Sequence, residues 1–229
     1  MKLIITTLLM LIAATATAGS HEGEQVLVFG GTGRLGAPIV ELLVAAGYPV
    51  TVFARPTSSR ERLADLEVRF VVGDLMDAGS VGAAINDQAF TYVIDASARG
   101  ASRAAFYDTA MRNILSAVDA GEVQQFILHG SVGAGDNMAK FPDVGFERMR
   151  NVMIAKGEAE TLLKASGIPY TIIRNGFVRP DGTPATGTAS LTENDAALDA
   201  VTRLDLAALT MQCLANEKCM NKTFHAVDE

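Results

Sequence analysis

Gln25-Val-Leu-Val-Phe-Gly30-Gly-Thr-Gly33-Arg-Leu-Gly36-Ala-Pro-Ile-Val-Glu-Leu-Leu-Val-Ala-Ala-Gly47 is the stretch whose reading decides the fold. Val26–Phe29 is an apolar run too short for a helix and rich in β-branched and aromatic residues, as in a strand buried on both faces. Glycines follow at 30, 33 and 36, then apolar residues at helical spacing: Leu35, Ile39, Leu42, Leu43 and Ala46. Gly47 stands where a helix C-cap glycine belongs. The pattern predicts strand, turn and helix, with backbone N–H groups and a helix N-terminus facing a phosphate. Gly30 permits the tight turn, Gly33 lets the backbone approach a pyrophosphate, and Gly36 lets the helix pack close to the strand. Thr32, Arg34 and Leu35 complete the turn. A glycine triplet alone is a weak signal; a strand before it and a helix and second strand after it supply the context such a motif needs.

The second strand, Pro49–Ala54, runs into Arg55-Pro-Thr-Ser-Ser-Arg60. An acidic residue about 20 positions past the glycines takes the ribose 2′-hydroxyl of NAD, whereas an arginine there accommodates the 2′-phosphate of NADP. Arg55, with Thr57, Ser58, Ser59 and Arg60 behind it and Arg34 in the turn, favours NADP over NAD. Any one of these arginines alone would serve equally well as a solvated loop cation.

The rest of the chain alternates in the same way. A short helix (Arg62–Leu66) leads to a strand, Val68–Val72, followed by Gly73, Asp74 and Leu75, which would flank an adenine; Asp74 could instead cap a turn. A helix over Asp77–Asn86 precedes a fourth strand, Tyr92–Asp95, ending in Ala96 and Ser97, small enough to let a ribose approach the backbone. A long helix over Ser102–Ala120 is closed by Gly121, and the fifth strand, Gln125–Leu128, continues into His129-Gly-Ser131. Another helix is expected from about Val144 to Ser166, with a sixth strand over Pro169–Arg174. Asn175–Ser190 reads as a long loop, either a lid over a ligand or a tolerated surface excursion. A helix over Leu204–Leu214 and a strand over Thr223–Val227 end the chain. The fold class is α/β: a Rossmann-like, doubly wound parallel sheet with helices on both faces.

The 229 residues suit one such domain. A net charge of −7 with no basic cluster beyond these arginines argues against a nucleic-acid partner. His21, His129 and His225 are scattered and no metal-ligand spacing is present, so no metal is expected. Lys2, the apolar run Leu3–Ala14 and Ala16-Thr-Ala18 have the layout of a cleaved secretory leader, shorter than the ~20 apolar residues of a membrane span. The expected organisation is a leader over 1–18 and a nucleotide-binding domain over 19–229, exported to a bacterial periplasm without stable membrane insertion. A retained anchor or an extra strand is the alternative. Cys213 and Cys219 would pair across a short turn after export, and would otherwise be two thiols.

These residues together resemble the atypical short-chain dehydrogenase/reductase superfamily, in particular its NAD(P)-binding, NmrA-like and flavin/biliverdin-reductase-B-like branch. The resemblance is carried by Gly30–Gly36, Val72-Gly-Asp-Leu75, Gly130-Ser131, Lys156 through Ser166-Gly-Ile-Pro-Tyr-Thr-Ile-Ile-Arg174-Asn-Gly176, and Thr202-Arg-Leu-Asp205-Leu-Ala207. It implies that Ser131 polarises a substrate carbonyl and that Lys156 holds the nicotinamide ribose and activates a tyrosine four residues earlier. That position is Val152, which cannot transfer a proton, and Asn175 replaces the proline usual after the sixth-strand arginine. Read from the residues alone, Ser131 could satisfy a turn and Lys156 could form an i,i+4 pair with Glu160. The tyrosines at 48, 92, 107 and 170 are all remote from Val152 in sequence, and none is expected on that helix face.

The function expected is an NADP-dependent oxidoreductase of atypical type, acting on a small or planar carbonyl-, flavin- or quinone-like acceptor. The alternative is a non-catalytic NADP(H)-binding sensor or interaction protein; epimerase chemistry is disfavoured because it too uses the tyrosine. Export and NADP conflict, since NADP is cytosolic and no twin-arginine signal is present. Either the cofactor reaches the exported protein, or the site holds another ligand, or the leader is misread.

Overall fold

The computed structural model describes residues 21, 23–100, 104–118 and 121–228. The leader read over 1–18 and both ends of the helix expected over 102–120 lie outside the described residues. In chain order the first half holds β1 (Val26–Phe29), α1 (Gly36–Ala45), β2 (Val50–Ala54), β3 (Arg69–Val72), α2 (Ala78–Ile85), β4 (Tyr92–Asp95) and α3 (Phe106–Leu115). The second half holds β5 (Gln125–Ser131), α4 (Arg150–Ala165), β6 (Tyr170–Asn175), β7 (Phe177–Val178), β8 (Ala189–Thr192), β9 (Ala200–Val201), α5 (Arg203–Cys213) and β10 (Lys222–Asp228).

The main sheet has eight strands in the order β3-β2-β1-β4-β5-β6-β10-β8. All its pairings are parallel except β10 with β8, so the sheet is mostly rather than wholly parallel. The strand order reverses between β1 and β4, which places a crevice at the carboxyl ends of those two strands. Strand alternation sorts the core into two layers. Val26 and Val28 pack with Ile39 and Leu43 of α1 and Leu206 and Leu209 of α5. Leu27 and Phe29 pack with Val81 of α2, Ile114 of α3 and Leu163 of α4.

The residues after β1 form these elements for local reasons. Gly30 adopts a φ of +73°, open to glycine, and a Cβ there would lie 2.6 Å from Ser97 N. A Cβ on Gly36 would lie 2.1 Å from Gly30 O, so α1 seats on β1 only because position 36 has no side chain. The helix closes with Gly47 N–H donating to Val44 O and Tyr48 N–H to Leu43 O, with Gly47 at φ +86°.

Four sequence expectations change, the first being the short helix over Arg62–Leu66, which is a single 3-10 turn at Glu61–Leu63. The helix placed from Val144 begins at Arg150; Pro142 and Gly145, at φ +71°, break the preceding stretch into 3-10 turns. The helix over 102–120 is described as regular only across Phe106–Leu115. The span Asn175–Ser190 is not one loop: β7 pairs with β9, and Ser190 lies in β8. Its remaining turn is pinned by Asp205, which accepts hydrogen bonds from Thr186 N at 2.9 Å and Gly187 N at 3.0 Å while closing the α5 N-cap with Thr202.

Cys213 and Cys219 are bridged, six residues apart, at the end of α5. The buried Gln125 side chain secures this corner, donating to Thr171 Oγ1 and Cys213 O and accepting from Ala215 N. Closing so short a loop in the unfolded chain is worth about 2 kcal/mol. We expect reduction, or Cys213→Ala with Cys219→Ala, to lower unfolding stability by that order, measured by urea titration with the fold retained by circular dichroism.

Candidate active site

One cleft of about 440 Å³ opens over the carboxyl edge of the sheet. At one end it is lined by Gly30, Thr32, Gly33, Arg34 and Leu35 of the turn, with the first turn of α1 behind them. Gly36 does not line it; it brings the helix terminus there. Arg55 and Ser58 follow from β2, and Asp74 and Leu75 from β3. Arg60 turns away, its guanidinium 4.4 Å above the Phe70 ring. Arg34 and Arg62 both reach Asp181, at 3.6 and 3.7 Å. Asp74 also serves its own turn, accepting from Met76 N at 3.0 Å. Ala96 and Ser97 line the middle of the cleft, where Ser97 N–H donates to the buried Asp95 carboxylate at 2.8 Å.

The other end is built by β5, β6 and α4. Ser131 stands opposite Asn175 in the sheet register. Lys156 Nζ donates to Ser131 Oγ at 2.7 Å. Burial lowers the Lys156 ammonium to about 8, against the opposing pull of the Glu160 and Asp95 carboxylates. Burial also raises the Asp95 carboxyl, opposed by its hydrogen bonds from Ser97 and by the Lys156 charge. The i,i+4 pair of Lys156 with Glu160 does not form as a contact: Glu160 instead takes Arg174 in a buried two-pronged ion pair, with Nη2 at 2.6 Å and Nε at 3.1 Å. His129 is buried beside them and held well below the imidazole range, at about 4, mainly by burial and further by Lys156. Its Nε2 lies 2.9 Å from Thr210 Oγ1 and its Nδ1 3.4 Å from Asn175 Oδ1.

The sequence matches the NAD(P)H-binding family over residues 30–217, most of the chain and all of this cleft's glycine turn, lysine and serine. The chain belongs to that NAD(P)H-binding family. Among solved structures, the anaerobillin reductase ChuY from Escherichia coli O157:H7 is 26% identical and superposes with a TM-score of 0.74, covering 89% of this chain and 97% of that one. Protein TIC 62 of Pisum sativum chloroplasts is 30% identical over 190 residues, 70% of this chain and 34% of its own. Phenylcoumaran benzylic ether reductase Pyrc5 of Pyrus communis is 30% identical over 163 residues, 67% of this chain and 49% of its own. The chain thus spans a third to a half of the length of these two curated relatives.

As an NAD(P)H-binding protein it departs from the usual proton-donor arrangement. Val152 is 2% exposed and lines no part of the cleft; it belongs to the core under α4. Contrary to the sequence expectation, one tyrosine does reach this region: the Tyr107 ring lies under Lys156, with Nζ 4.9 Å from its centroid. Its hydroxyl faces elsewhere, donating to Arg99 O at 2.6 Å and accepting from Arg99 N at 3.0 Å. Arg99, Phe106, His129, Asn175, Val178 and Arg203 line the cleft without having been singled out as ligands from the sequence. Of these, Asn175, through its replacement of a proline, and Arg203, inside the Thr202–Ala207 motif, carried a signal. Among the described residues no group of three His, Cys, Asp or Glu is placed to hold a metal, and no helix is long and apolar enough to cross a membrane.

The lowered Lys156 value has a definite sign. A lysine at about 8 in the fold and 10.5 when unfolded binds fewer protons in the native state between those values, so it adds stability as pH rises through that window. We expect the Lys156 resonance of ¹³C-methylated protein to titrate near pH 8, Lys156→Met to remove it, and Asp95→Asn to move it lower. Titration at the ordinary lysine position would show a solvated ammonium.

Proposed function

We propose that the protein is an NADPH-dependent reductase acting on a small or planar carbonyl-, flavin- or quinone-like acceptor, with Ser131 as proton donor and Lys156 as its proton supply. The observation that carries this is the 2.7 Å contact from Lys156 Nζ to Ser131 Oγ. An ammonium can only donate, so Ser131 Oγ accepts from it and keeps its own hydrogen free for the cleft. When bound, the nicotinamide dinucleotide supplies a hydride. Ser131 then gives its proton to the oxygen or nitrogen on which charge develops, and Lys156 refills Ser131. A lysine value near neutrality suits that role better than an ordinary one. This route replaces the tyrosine lost at Val152.

For the cofactor itself, the Gly30–Gly36 backbone and the α1 N-terminus suit a pyrophosphate. Arg55 and Ser58, with Arg34, suit a 2′-phosphate and favour NADPH over NADH. Asp74 and Leu75 flank the adenine position, and Ala96 and Ser97 the ribose. Exposed Val178 and buried Leu206 also line the cleft and suit a flat, largely apolar acceptor. The reductases among the relatives support the reductase part of this reading. The Cys213–Cys219 bridge supports export under the leader read over 1–18, since such bridges persist in oxidising compartments. Cell fractionation with and without residues 1–18 tests that part separately.

Equilibrium titration should show tighter binding of NADPH than NADH, with Arg55→Glu removing most of the difference. In an acceptor panel of quinones, flavins and aldehydes, Ser131→Ala and Lys156→Met should each lower kcat about a hundredfold, and wild-type kcat should fall as pH rises through about 8. The second reading, a non-catalytic dinucleotide sensor, is favoured by Val152. It predicts tight NADPH binding with no turnover for any acceptor and no effect of Ser131→Ala.

A further inference from the structure

A hydrogen-bonded chain behind the cleft has a direction that its distances fix. Thr210 Oγ1 lies 2.7 Å from Leu206 O, and a carbonyl has no proton to give, so the Thr210 hydroxyl donates there. Its lone pairs therefore face His129 Nε2 at 2.9 Å, which makes Nε2 the protonated nitrogen. Thr210 is fully buried and His129 is 6% exposed, which shields the Thr210–Nε2 contact from solvent. A neutral imidazole protonated at Nε2 has a bare Nδ1, which can only accept.

The partner of that bare nitrogen is the side-chain amide of Asn175, 3.4 Å away. A carboxamide offers either its oxygen or its nitrogen at that point by a half-turn about its last bond. Two acceptors facing each other share no proton, so Nδ1 selects the amide nitrogen. The Asn175 carbonyl oxygen is then the free end. In the structure it is the oxygen that lies toward Nδ1, so this assignment turns the amide over, and Asn175 lines the cleft together with Ser131 and Lys156.

This inference rests on the NADPH reading above. A dinucleotide with its pyrophosphate on the turn after β1 and its adenosine half over β2 and β3 extends its other half across β4, β5 and β6. The nicotinamide end then meets Ser131 and Asn175. The N–H donors of a nicotinamide ring are those of its carboxamide. We propose that Asn175 Oδ1 accepts a hydrogen bond from the nicotinamide carboxamide, and that His129 and Thr210 are positioning residues that hold Asn175 in that orientation. A proline side chain at position 175 would offer no such acceptor.

The test compares NADPH with the reduced 3-acetylpyridine analogue, whose methyl ketone lacks the carboxamide N–H, by equilibrium fluorescence titration. One hydrogen bond should make wild type bind NADPH about fivefold more tightly than the analogue. Asn175→Ala should weaken NADPH by that factor and leave the analogue unchanged. Thr210→Val, close in shape to threonine, leaves Nε2–H without an acceptor; the imidazole then shifts its proton to Nδ1, the Asn175 amide turns over, and the preference for NADPH is lost. In ligand-free ¹⁵N-histidine spectra His129 should appear as the Nε2–H tautomer. It is distinguishable from His225, which is read as Nδ1–H because its Nδ1 lies 2.7 Å from Ala197 O. Equal weakening of both ligands by Asn175→Ala, no weakening of either, or an Nδ1–H His129 in wild type would overturn the proposal while the NADPH reading stands. Failure of wild type to bind NADPH at all would overturn both.

Discussion

The structure depends on one contact that admits no side chain, the seating of Gly36 on the carbonyl of Gly30. A Cβ at position 36 would come within 2.1 Å of that oxygen and 2.7 Å of the Gly30 carbonyl carbon. Gly30 is crowded from its other side by the backbone of Ala96 and Ser97, at 2.6–2.7 Å from where its Cβ would be. Three backbones therefore converge: the end of β1, the end of β4 and the start of α1. That convergence lies where the strand order reverses, so the helix terminus and the crevice are one feature. Arg55 on one side and Ser131 on the other are placed by the strands that extend outward from it.

The lysine end needs a different kind of anchor, because α4 follows a long irregular passage. Gly157 packs on Gly135 so closely that a Cβ would lie 2.3 Å from the Gly135 Cα. One turn further on, Glu160 holds Arg174 of β6, with both side chains buried. A buried ion pair is poor evidence for stability, since desolvating both charges offsets much of their attraction. Its use here is registration: it admits one rotation and one height of α4 on the sheet. Lys156, one turn before Glu160, is then carried to Ser131 on β5 rather than to solvent.

The fold was legible from periodicity and glycine placement because each strand is a buried apolar run and each helix end carries its own signal. Gly47 and the apolar Val26–Phe29 run show both. What was not legible depends on distant partners. β7 and β9 are two residues each and exist only by pairing with one another; β8 is a partly exposed edge whose residues, Ala-Ser-Leu-Thr, carry no strong strand signal. α4 starts later than expected because Gly145, at φ +71°, and the 3-10 turn over Phe146–Met149 precede it, and neither is marked by the apolar pattern. At the site, the glycines and Arg55 could be read from their spacing, and Ser131 and Lys156 from the family resemblance. His129 and Tyr107 could not, since what each does is set by Thr210 and Arg99, residues 81 and 8 positions away.

The same burial accounts for the lysine and for the missing tyrosine together. With Val152 in the core, no phenol stands between Lys156 and the cleft, and Nζ bonds Ser131 directly. For the proton route proposed above, a solvated ammonium at that place would hold its proton too firmly. Burial lowers it to about 8, and the Asp95 and Glu160 carboxylates keep it from falling further and losing its charge at neutral pH. The raised Asp95 carboxyl is the complementary cost, since the same burial that loosens the lysine proton penalises the carboxylate that steadies it. On the proposed reading, a lysine poised this way stays cationic at neutral pH and is still acidic enough to pass a proton on.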